Sequence, residues 1–475
     1  MELASEGRAG SGAGEVEVDR LEALLPRYAE SGPRYTSYPT APAWTETYGA
    51  AAFREALGGV GSEGRGVSLY VHVPFCRSLC HFCACNRVIT RDEALPARWL
   101  DAIEREVGTV REAIPREPGA MQLHWGGGTP THLTPGQIRR LFRSLADAFP
   151  LGGGAEVSIE VDPRVTTDAH LEALRECGFR RMSLGVQDFD PRVQEAIHRS
   201  QPVELTAALT ERARRAGFES VGFDLISGLP FQTEDSFERT LATVLALAPD
   251  RIALYGYAHV TWVAKQQRGF ERHDLPDARM RARLQLRAVR RLLAGGYVHV
   301  GMDHFALPAD ALARAEREGG LRRNFMGYTT QAGAELLGFG PSAISETRDG
   351  YAQSLRDLDA WEAAVRERGL ATFRGHRRTR DDRERGFVIE RVMCHGGVRA
   401  SDYRARFGEE LGSRFAEELA RLAALEEDGL VVREGDGSFR ATPLGRFLLR
   451  NVAMIFDAYL PGQRTQGRPL FSRTV

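Results

Sequence analysis

The stretch Tyr70-Val71-His72-Val73-Pro74-Phe75-Cys76-Arg77-Ser78-Leu79-Cys80-His81-Phe82-Cys83-Ala84-Cys85-Asn86 sets four of the chain's 6 cysteines almost side by side. Cys76, Cys80 and Cys83 form C-x3-C-x2-C on a loop that follows an apolar run. Three thiolates at this spacing hold three corners of a 4Fe-4S cluster and leave the last iron without a protein ligand. A catalytic metal keeps such an open position, whereas a structural one closes it. An open iron takes the amino and carboxylate groups of S-adenosylmethionine, and radical chemistry follows from that cofactor. The competing reading is a structural zinc knuckle, which needs a full set of ligands. Cys85 and His72 are the residues that would complete one. The apolar strand leading in, and a later Trp125-Gly126-Gly127-Gly128-Thr129-Pro130, favour the cluster. Disulfides are not expected. Cys177 and Cys394 lie in helix-like segments and read as buried small hydrophobes.

Composition sets the frame. The 475 residues suffice for one large core and a second domain, and 43% apolar with 27% charged residues fits a globular protein. No apolar run approaches a membrane span and no signal-peptide core is seen, so neither a membrane nor export is expected. Free thiolates fit a reducing cytoplasm. The net charge of −1 gives no electrostatic case for nucleic acid. Lys265 is the single lysine among 63 basic residues. That bias reads as the codon usage of a GC-rich genome, so individual arginines carry less functional weight than usual.

Along the chain, residues 1–18 are small, polar and expected to be disordered. Residues 19–66 form an arm with Ser31-Gly32-Pro33-Arg34-Tyr35-Thr36-Ser37-Tyr38-Pro39-Thr40, whose prolines and tyrosines suggest an extended segment lying on something else. Six apolar, mostly β-branched or aromatic segments follow: 67–73, 122–125, 156–161, 181–185, 220–226 and 251–257. Helical patterns at 97–110, 135–148, 168–177, 191–197, 204–216 and 233–247 alternate with them. This alternation predicts an α/β fold, a parallel sheet covered by helices. Six units make an incomplete, three-quarter β/α barrel. Its domain runs over 67–375, with a long helix and a loop-rich run after residue 278. Polar residues gather at the strands' carboxyl ends (His72, Gly127, Glu160, Gln187, Asp224, His259), the rim that carries chemistry in barrel enzymes. From 376 to 475 the pattern becomes mainly helical. It has a charged bridge at 376–385 that reads as a solvated face, helices at 386–394 and 409–427, a hairpin at 430–441 and a helix at 443–456. Helix, helix, hairpin, helix resembles a winged helix, but the last helix is mainly apolar and reads as packed.

Single residues can be weighed at the rim. Without Cβ atoms, the backbone of Gly126–Gly128 can approach a charged ligand and present amides, against the alternative of a tight turn. Glu160 suits ribose hydroxyls or an ammonium, or else a capping acid. Asp224, an acid inside an apolar strand, needs a partner, and Arg199 is the expected one. Gln187 suits an adenine or carboxylate edge. Tyr70 alone reads as core.

These residues, together with Leu123-His-Trp-Gly-Gly-Gly-Thr-Pro-Thr131, Gly185-Val-Gln-Asp-Phe189, Gly301-Met-Asp-His-Phe-Ala306 and Asn324-Phe-Met-Gly-Tyr-Thr-Thr-Gln331, closely resemble the oxygen-independent coproporphyrinogen III oxidase family of radical S-adenosylmethionine enzymes. The resemblance implies one 4Fe-4S cluster and two S-adenosylmethionine molecules. Cys76, Cys80 and Cys83 would ligate iron, Cys85 would be a fourth, non-ligating cysteine, and Tyr70 would join the cysteines in catalysis. Tyr70, Gly127, Glu160 and Ile344 would hold the first S-adenosylmethionine. Phe82, Gly128, Thr129, Gln187, Arg199, Asp224 and Ala258 would surround the second. The segment 35–40 would lie over the site. The implied reaction converts coproporphyrinogen III to protoporphyrinogen IX, through a 5′-deoxyadenosyl radical that removes a propionate β-hydrogen before carbon dioxide and an electron leave. Arg34, Arg322 and Arg323 are candidates for binding propionates. Ala84 stands where the family usually has glycine. A haem-trafficking relative would lack a counterpart of Cys85 and the Tyr-Thr-Ser-Tyr-Pro-Thr arm, and a related methyltransferase would lack the arm. A monomer is expected, with an electron donor and acceptor that the sequence does not name.

Overall fold

The six segments expected as strands are strands, and the helical patterns between them are helices. In a computed structural model that describes residues 9–464 and 470–474, apart from positions 63, 65, 271 and 332, the strands are β1 (Val67–Val73), β2 (Ala120–Gly127), β3 (Leu151–Val161), β4 (Arg181–Gln187), β5 (Ser220–Ser227) and β6 (Arg251–Gly256). They pair in parallel in chain order. The period-two pattern sorts their side chains. Leu69, Val71, Leu123, Trp125, Val157, Ile159, Leu184, Phe223 and Leu254 are buried in one core with the covering helices. On the other face, Tyr70 stands beside His124, His124 beside Ser158, Glu160 beside Ser183 and Asp224 beside Ala253. These inward residues, Tyr70 apart, line an interior cavity of about 140 Å³.

The covering helices start where short polar side chains cap them. Thr134 accepts from the Gln137 amide ahead of Pro135–Ala148, and Asp277 accepts from the Met280 amide at 2.7 Å ahead of Ala278–Ala294.

The sheet is larger than six units. The run read as loop-rich contains β7 (Val298–Val300), β8 (His304–Ala306), β9 (Glu335–Phe339), β10 (Ile344–Glu346), β11 (Gly350–Ser354) and β12 (Thr372–Arg377). β9 is a seventh parallel strand, on the free side of β1. The remaining strands run antiparallel, and the order across all twelve is β12-β11-β10-β9-β1-β2-β3-β4-β5-β6-β8-β7. These added strands are short and glycine-punctuated, which hid their alternation.

Residues 1–8 of the segment expected to be disordered lie outside the described residues. The rest of it, from Ala9, belongs to a helix that runs to Tyr28. Leu21, Leu24, Leu25 and Tyr28 of that helix pack into a second core, and a helix nucleated there extends upstream one hydrogen bond at a time.

The arm crosses the open side of the barrel from one part of the sheet to the other. Arg34 donates to the Gly256 carbonyl at the end of β6 (3.1 Å), the Tyr38 amide donates to the Tyr351 hydroxyl on β11 (3.3 Å), and Thr45 bridges Gly375 on β12. Tyr35 donates to Asp457 at 2.9 Å, and the Tyr38 hydroxyl accepts from the Ala458 amide at 2.9 Å.

Beyond β12 the second core gathers helices Arg380–His395, Ala400–Phe407, Leu411–Arg414, Ala416–Glu427 and Leu449–Met454 around a small sheet. In that sheet the expected hairpin, Val431–Arg433 with Phe439–Ala441, gains Gly397–Val398 on its other side. Several expectations are corrected here. The first helix starts within the supposed charged bridge, because Thr379 and Asp382 form a capping box. That bridge is no solvated face: Arg380 and Arg414 both hold Glu384 at 2.6 Å, and Arg385 reaches Asp381 and Glu418. The expected helix 409–427 breaks at Phe415. Every residue of Leu449–Met454 is buried, which leaves that helix no face for a nucleic-acid groove. Among the described residues no helix is long and apolar enough to cross a membrane.

Candidate functional site

The cysteine loop leaves β1 at the strand's carboxyl end and is pinned where it starts. Phe75 and Cys76 pair in parallel with Val88 and Ile89, and the Val88 amide donates to the Pro74 carbonyl at 2.7 Å. Between these pins Cys80 is buried, and Cys76 and Cys83 are half-buried. The thiols sit close enough to feel one another. Burial, with Cys83 and Cys80 adding to it, pushes the Cys76 thiol up to about 11, while a contact from Thr129 Oγ1 at 3.4 Å works against this. A hydrogen bond from Cys85 favours the thiolate of Cys83. Arg164 Nη2 and Arg199 Nη1 both point at Cys80 Sγ, each at 3.6 Å. A sulfur that carries negative charge as a ligand is thus met by two cations.

The zinc alternative fails at His72. Its Nδ1 is paired with the Tyr70 hydroxyl (3.1 Å) and its Nε2 with the Asn86 carbonyl (2.8 Å), so neither ring nitrogen faces a metal. Tyr70, in turn, stacks on His124 with 6.1 Å between ring centroids. It is held by partners inside the barrel and is not simply core. Ile344 sits at the same level. A Cβ on Gly338, the β9 partner of Tyr70, would lie 2.4 Å from the Ile344 carbonyl.

The glycine triad is explained by close packing. A Cβ at Gly126 would meet the Glu160 carboxylate at 2.9 Å. One at Gly127 (φ +121°) would meet the His72 ring at 2.9 Å, and one at Gly128 the Pro74 carbonyl at 2.7 Å. Larger residues here would push the root of the cysteine loop off β2. The Gly127 amide is still presented, and it donates to Glu160 at 3.1 Å. Burial alone would raise the Glu160 carboxyl, but His124 and this amide outweigh it and hold the group below the ordinary carboxylate range. Two strands away, burial and the charge of Glu160 push Asp224 up to about 7, with only Ser183 donating to it, at 3.1 Å.

Arg199 does not pair with Asp224 as expected. It leaves the turn after helix Pro191–Ala196, donates to the Gly185 carbonyl at 2.7 Å, and meets Asp162 at the end of β3 (3.2 Å). Arg164 grips the same Asp162 through Nε and Nη2. Burial opposes ionisation there, but the two arginines prevail and bring the carboxyl down to about 2. Asp162 wins because it projects from the rim toward that turn, whereas Asp224 points into the barrel. Gln187 ends β4 in the left-handed region (φ +68°), a strained conformation for a residue with a side chain, and is buried beside Gly185.

Sequence reading missed Asp162, Arg164, Gln266 and Gln267. The first two are announced by an acid and an arginine two residues apart just after a strand. Gln267 is fully buried and donates to the Phe82 carbonyl (2.7 Å) and the Ala258 carbonyl (3.2 Å), while Gln266 donates to the Cys83 carbonyl. No local signal marks them. The propionate candidates scatter. Arg34 lies over the Tyr255 ring at the rim, Arg323 is buried beside Asp303 against Tyr328, and Arg322 leans toward Glu390.

The chain matches the family model described as radical SAM superfamily over residues 70–244 and that of the HemN C-terminal domain over 379–448. It is 42% identical over 454 residues to the oxygen-independent coproporphyrinogen III oxidase of Pseudomonas aeruginosa, covering 95% of this chain and 98% of that one. It is 44% identical over 446 residues to that of Salmonella typhimurium, covering 94% and 97%. The solved structure of the Escherichia coli coproporphyrinogen III oxidase HemN, described as a radical SAM enzyme, superposes with a TM-score of 0.87 at 42% identity, over 92% of this chain and 98% of that one. Identity along nearly the whole chain and a shared fold place it in one family: this chain belongs to the oxygen-independent coproporphyrinogen III oxidases, radical S-adenosylmethionine enzymes.

Proposed function

We propose that this chain carries out the oxidative decarboxylation of two propionates of coproporphyrinogen III to vinyl groups, giving protoporphyrinogen IX without oxygen. The observation that carries this reading is three thiols on one rim loop, close enough for Cys80 and Cys83 to perturb Cys76, with two arginines aimed at the buried Cys80. The donor set fits the cofactor: three sulfurs suit a 4Fe-4S cluster with one open iron, and the anionic Glu160 suits the cationic S-adenosylmethionine. When bound, the pair supplies the electron and the 5′-deoxyadenosyl radical that takes a propionate β-hydrogen, after which carbon dioxide and one electron depart.

The chain's own residues have separate duties. Cys76, Cys80 and Cys83 hold iron, and Cys85 tunes Cys83. Tyr70, Gly127, Glu160 and Ile344 line the place of one S-adenosylmethionine, with Glu160 fixed by His124 to accept a hydroxyl or ammonium. A second molecule would contact Phe82, Gly128, Thr129, Gln187, Arg199, Asp224 and Ala258. Asp224, ionising near neutrality, adjusts the negative charge offered to it. The arm 31–45, tied to β6, β11 and β12, keeps water from a radical that would otherwise be quenched. We further infer a cytoplasmic monomer that uses neither nucleic acid nor a membrane. The test is anaerobic turnover: reconstituted protein with dithionite, S-adenosylmethionine and coproporphyrinogen III yields a product lighter by two carboxyl groups and two hydrogens by mass spectrometry. Unchanged substrate alongside an intact cluster rejects the reading.

A further inference from the structure

Beyond the end of β6 lies a cavity of about 730 Å³ whose walls come from distant parts of the chain. Tyr257, Trp262, Phe270 and Phe447 give it aromatic faces, and Arg34, Arg281, Arg450 and Arg473 bring positive charge. Its two acids are already engaged. Asp277 caps the helix Ala278–Ala294, and Asp303 is held by His304 at 2.7 Å with Arg34 and Arg323 beyond. The roof is two strips of chain sewn together. Arg450 donates to the carbonyls of Gly32 and Pro33 in the arm and of Ser472 and Arg473 in the tail, and Thr474 donates to Tyr28 and Glu30. Arg281 lies against Gly228 just past β5 with the Asp277 carboxylate near it, whereas Arg473, on the tail strip, is exposed. Trp262 is 43% exposed, while the chain's other tryptophans, Trp44, Trp99, Trp125 and Trp361, are at most 5% exposed. An exposed indole at the lip of a cavity suits a flat apolar ligand. The loop that carries Trp262 also carries Gln266 and Gln267, which brace the carbonyls of Cys83 and Phe82, so the cavity adjoins the cysteine loop through one short segment.

Resting on the proposed function, we propose that this cavity seats the tetrapyrrole, with Trp262 packed on the macrocycle and Arg473 gripping a propionate. The volume is within the range of small-molecule sites and the lining joins aromatic faces to convergent cations, as a tetracarboxylate ring requires. The C-terminal strip then acts as a specificity element that reads carboxylates.

The test uses the full, reconstituted chain and coproporphyrin III, the stable oxidised form of the macrocycle, titrated by porphyrin emission. Protoporphyrin IX, with two carboxylates, is the comparison ligand. The exposed positions allow variants that keep the fold, checked by circular dichroism. Arg473→Gln is expected to weaken coproporphyrin III about tenfold, the loss of one charge-assisted contact, and protoporphyrin IX less. Trp262→Ala is expected to weaken both. Equal affinity of parent and both variants overturns the cavity assignment, even where turnover to the divinyl product is normal. Variant-sensitive binding without turnover supports the cavity and rejects the proposed function instead.

Discussion

The barrel rim and the C-terminal helical domain use the same charged residues in opposite ways. Around helix Arg380–His395, Glu384 has two arginines, Arg385 has two acids, and Asp382 is shared by His376, Thr379 and Tyr459. Most charges there close on themselves over an apolar core, although the Nε atoms of Arg378 and Arg391 are buried without a partner. At the rim they close only in part, with Asp162 shared by Arg164 and Arg199. Asp224 has one hydroxyl donor, the Nε of Arg199 is buried without a partner, and two cations converge on a single sulfur. A saturated network holds shape, whereas an unsaturated one waits for a ligand and keeps perturbed ionisation until it arrives.

The sharpest way to break this contrast is to treat two buried cysteines alike. Cys80→Ser is expected to bring iron content and 5′-deoxyadenosine formation to background. Cys394→Ala, in a small apolar cluster with Val300 and Leu312, is expected to cost about 1 kcal/mol and leave iron content unchanged, as read by iron and sulfide assay beside denaturant unfolding. Equal iron loss in both would put the difference in folding and not in ligation.

Next in size is Arg199→Met, which leaves the Gly185 carbonyl unpaired and Asp162 with only Arg164. Unfolding midpoints should report a loss of about 3 kcal/mol, and S-adenosylmethionine affinity measured by calorimetry should fall with it. Unchanged affinity would make Arg199 purely structural.

A third outcome concerns pH. Asp224 in the folded state ionises near 7, against an ordinary 3.8, so the native chain keeps a proton that the unfolded chain has released. Stability therefore falls as pH rises from about 4 to about 7, by up to about 1.4 kcal/mol per unit. Buried Glu106, pushed up to about 7 by the same desolvation, contributes in the same window, so the informative quantity is the difference between parent and Asp224→Asn. The variant should show a shallower fall in urea unfolding between pH 4.5 and 7. Parallel curves would mean that Asp224 is ionised throughout. The smallest effect belongs to the saturated region: with Arg380→Gln, Glu384 keeps Arg414, and the thermal midpoint should not move.

What the sequence revealed follows the same division. The parallel strands β1 to β6 and their helices were legible because each carries a full alternation or a helical period, and the cysteine loop because thiolate spacing is local chemistry. β9 to β12 were not, since 3 to 6 residues broken by glycines carry little pattern. At the site, Glu160 and Asp224 stood out as acids in apolar strands. The partner of Arg199 did not, because choosing Asp162 over Asp224 depends on which way each carboxylate leaves its strand. Gln266 and Gln267 act through carbonyls some 180 residues away in sequence, which no local reading recovers. The glycine triad was readable as a close approach, but the approaching partner turned out to be the chain's own cysteine loop and Glu160.

The central claim is that Cys76, Cys80 and Cys83 alone hold the cluster and leave one iron open, and electron paramagnetic resonance of the dithionite-reduced protein tests it most directly. The account predicts a cubane signal that changes when S-adenosylmethionine is added and that survives Cys85→Ser intact. A signal indifferent to S-adenosylmethionine, or one lost with Cys85, would show a closed, four-thiolate site and contradict it.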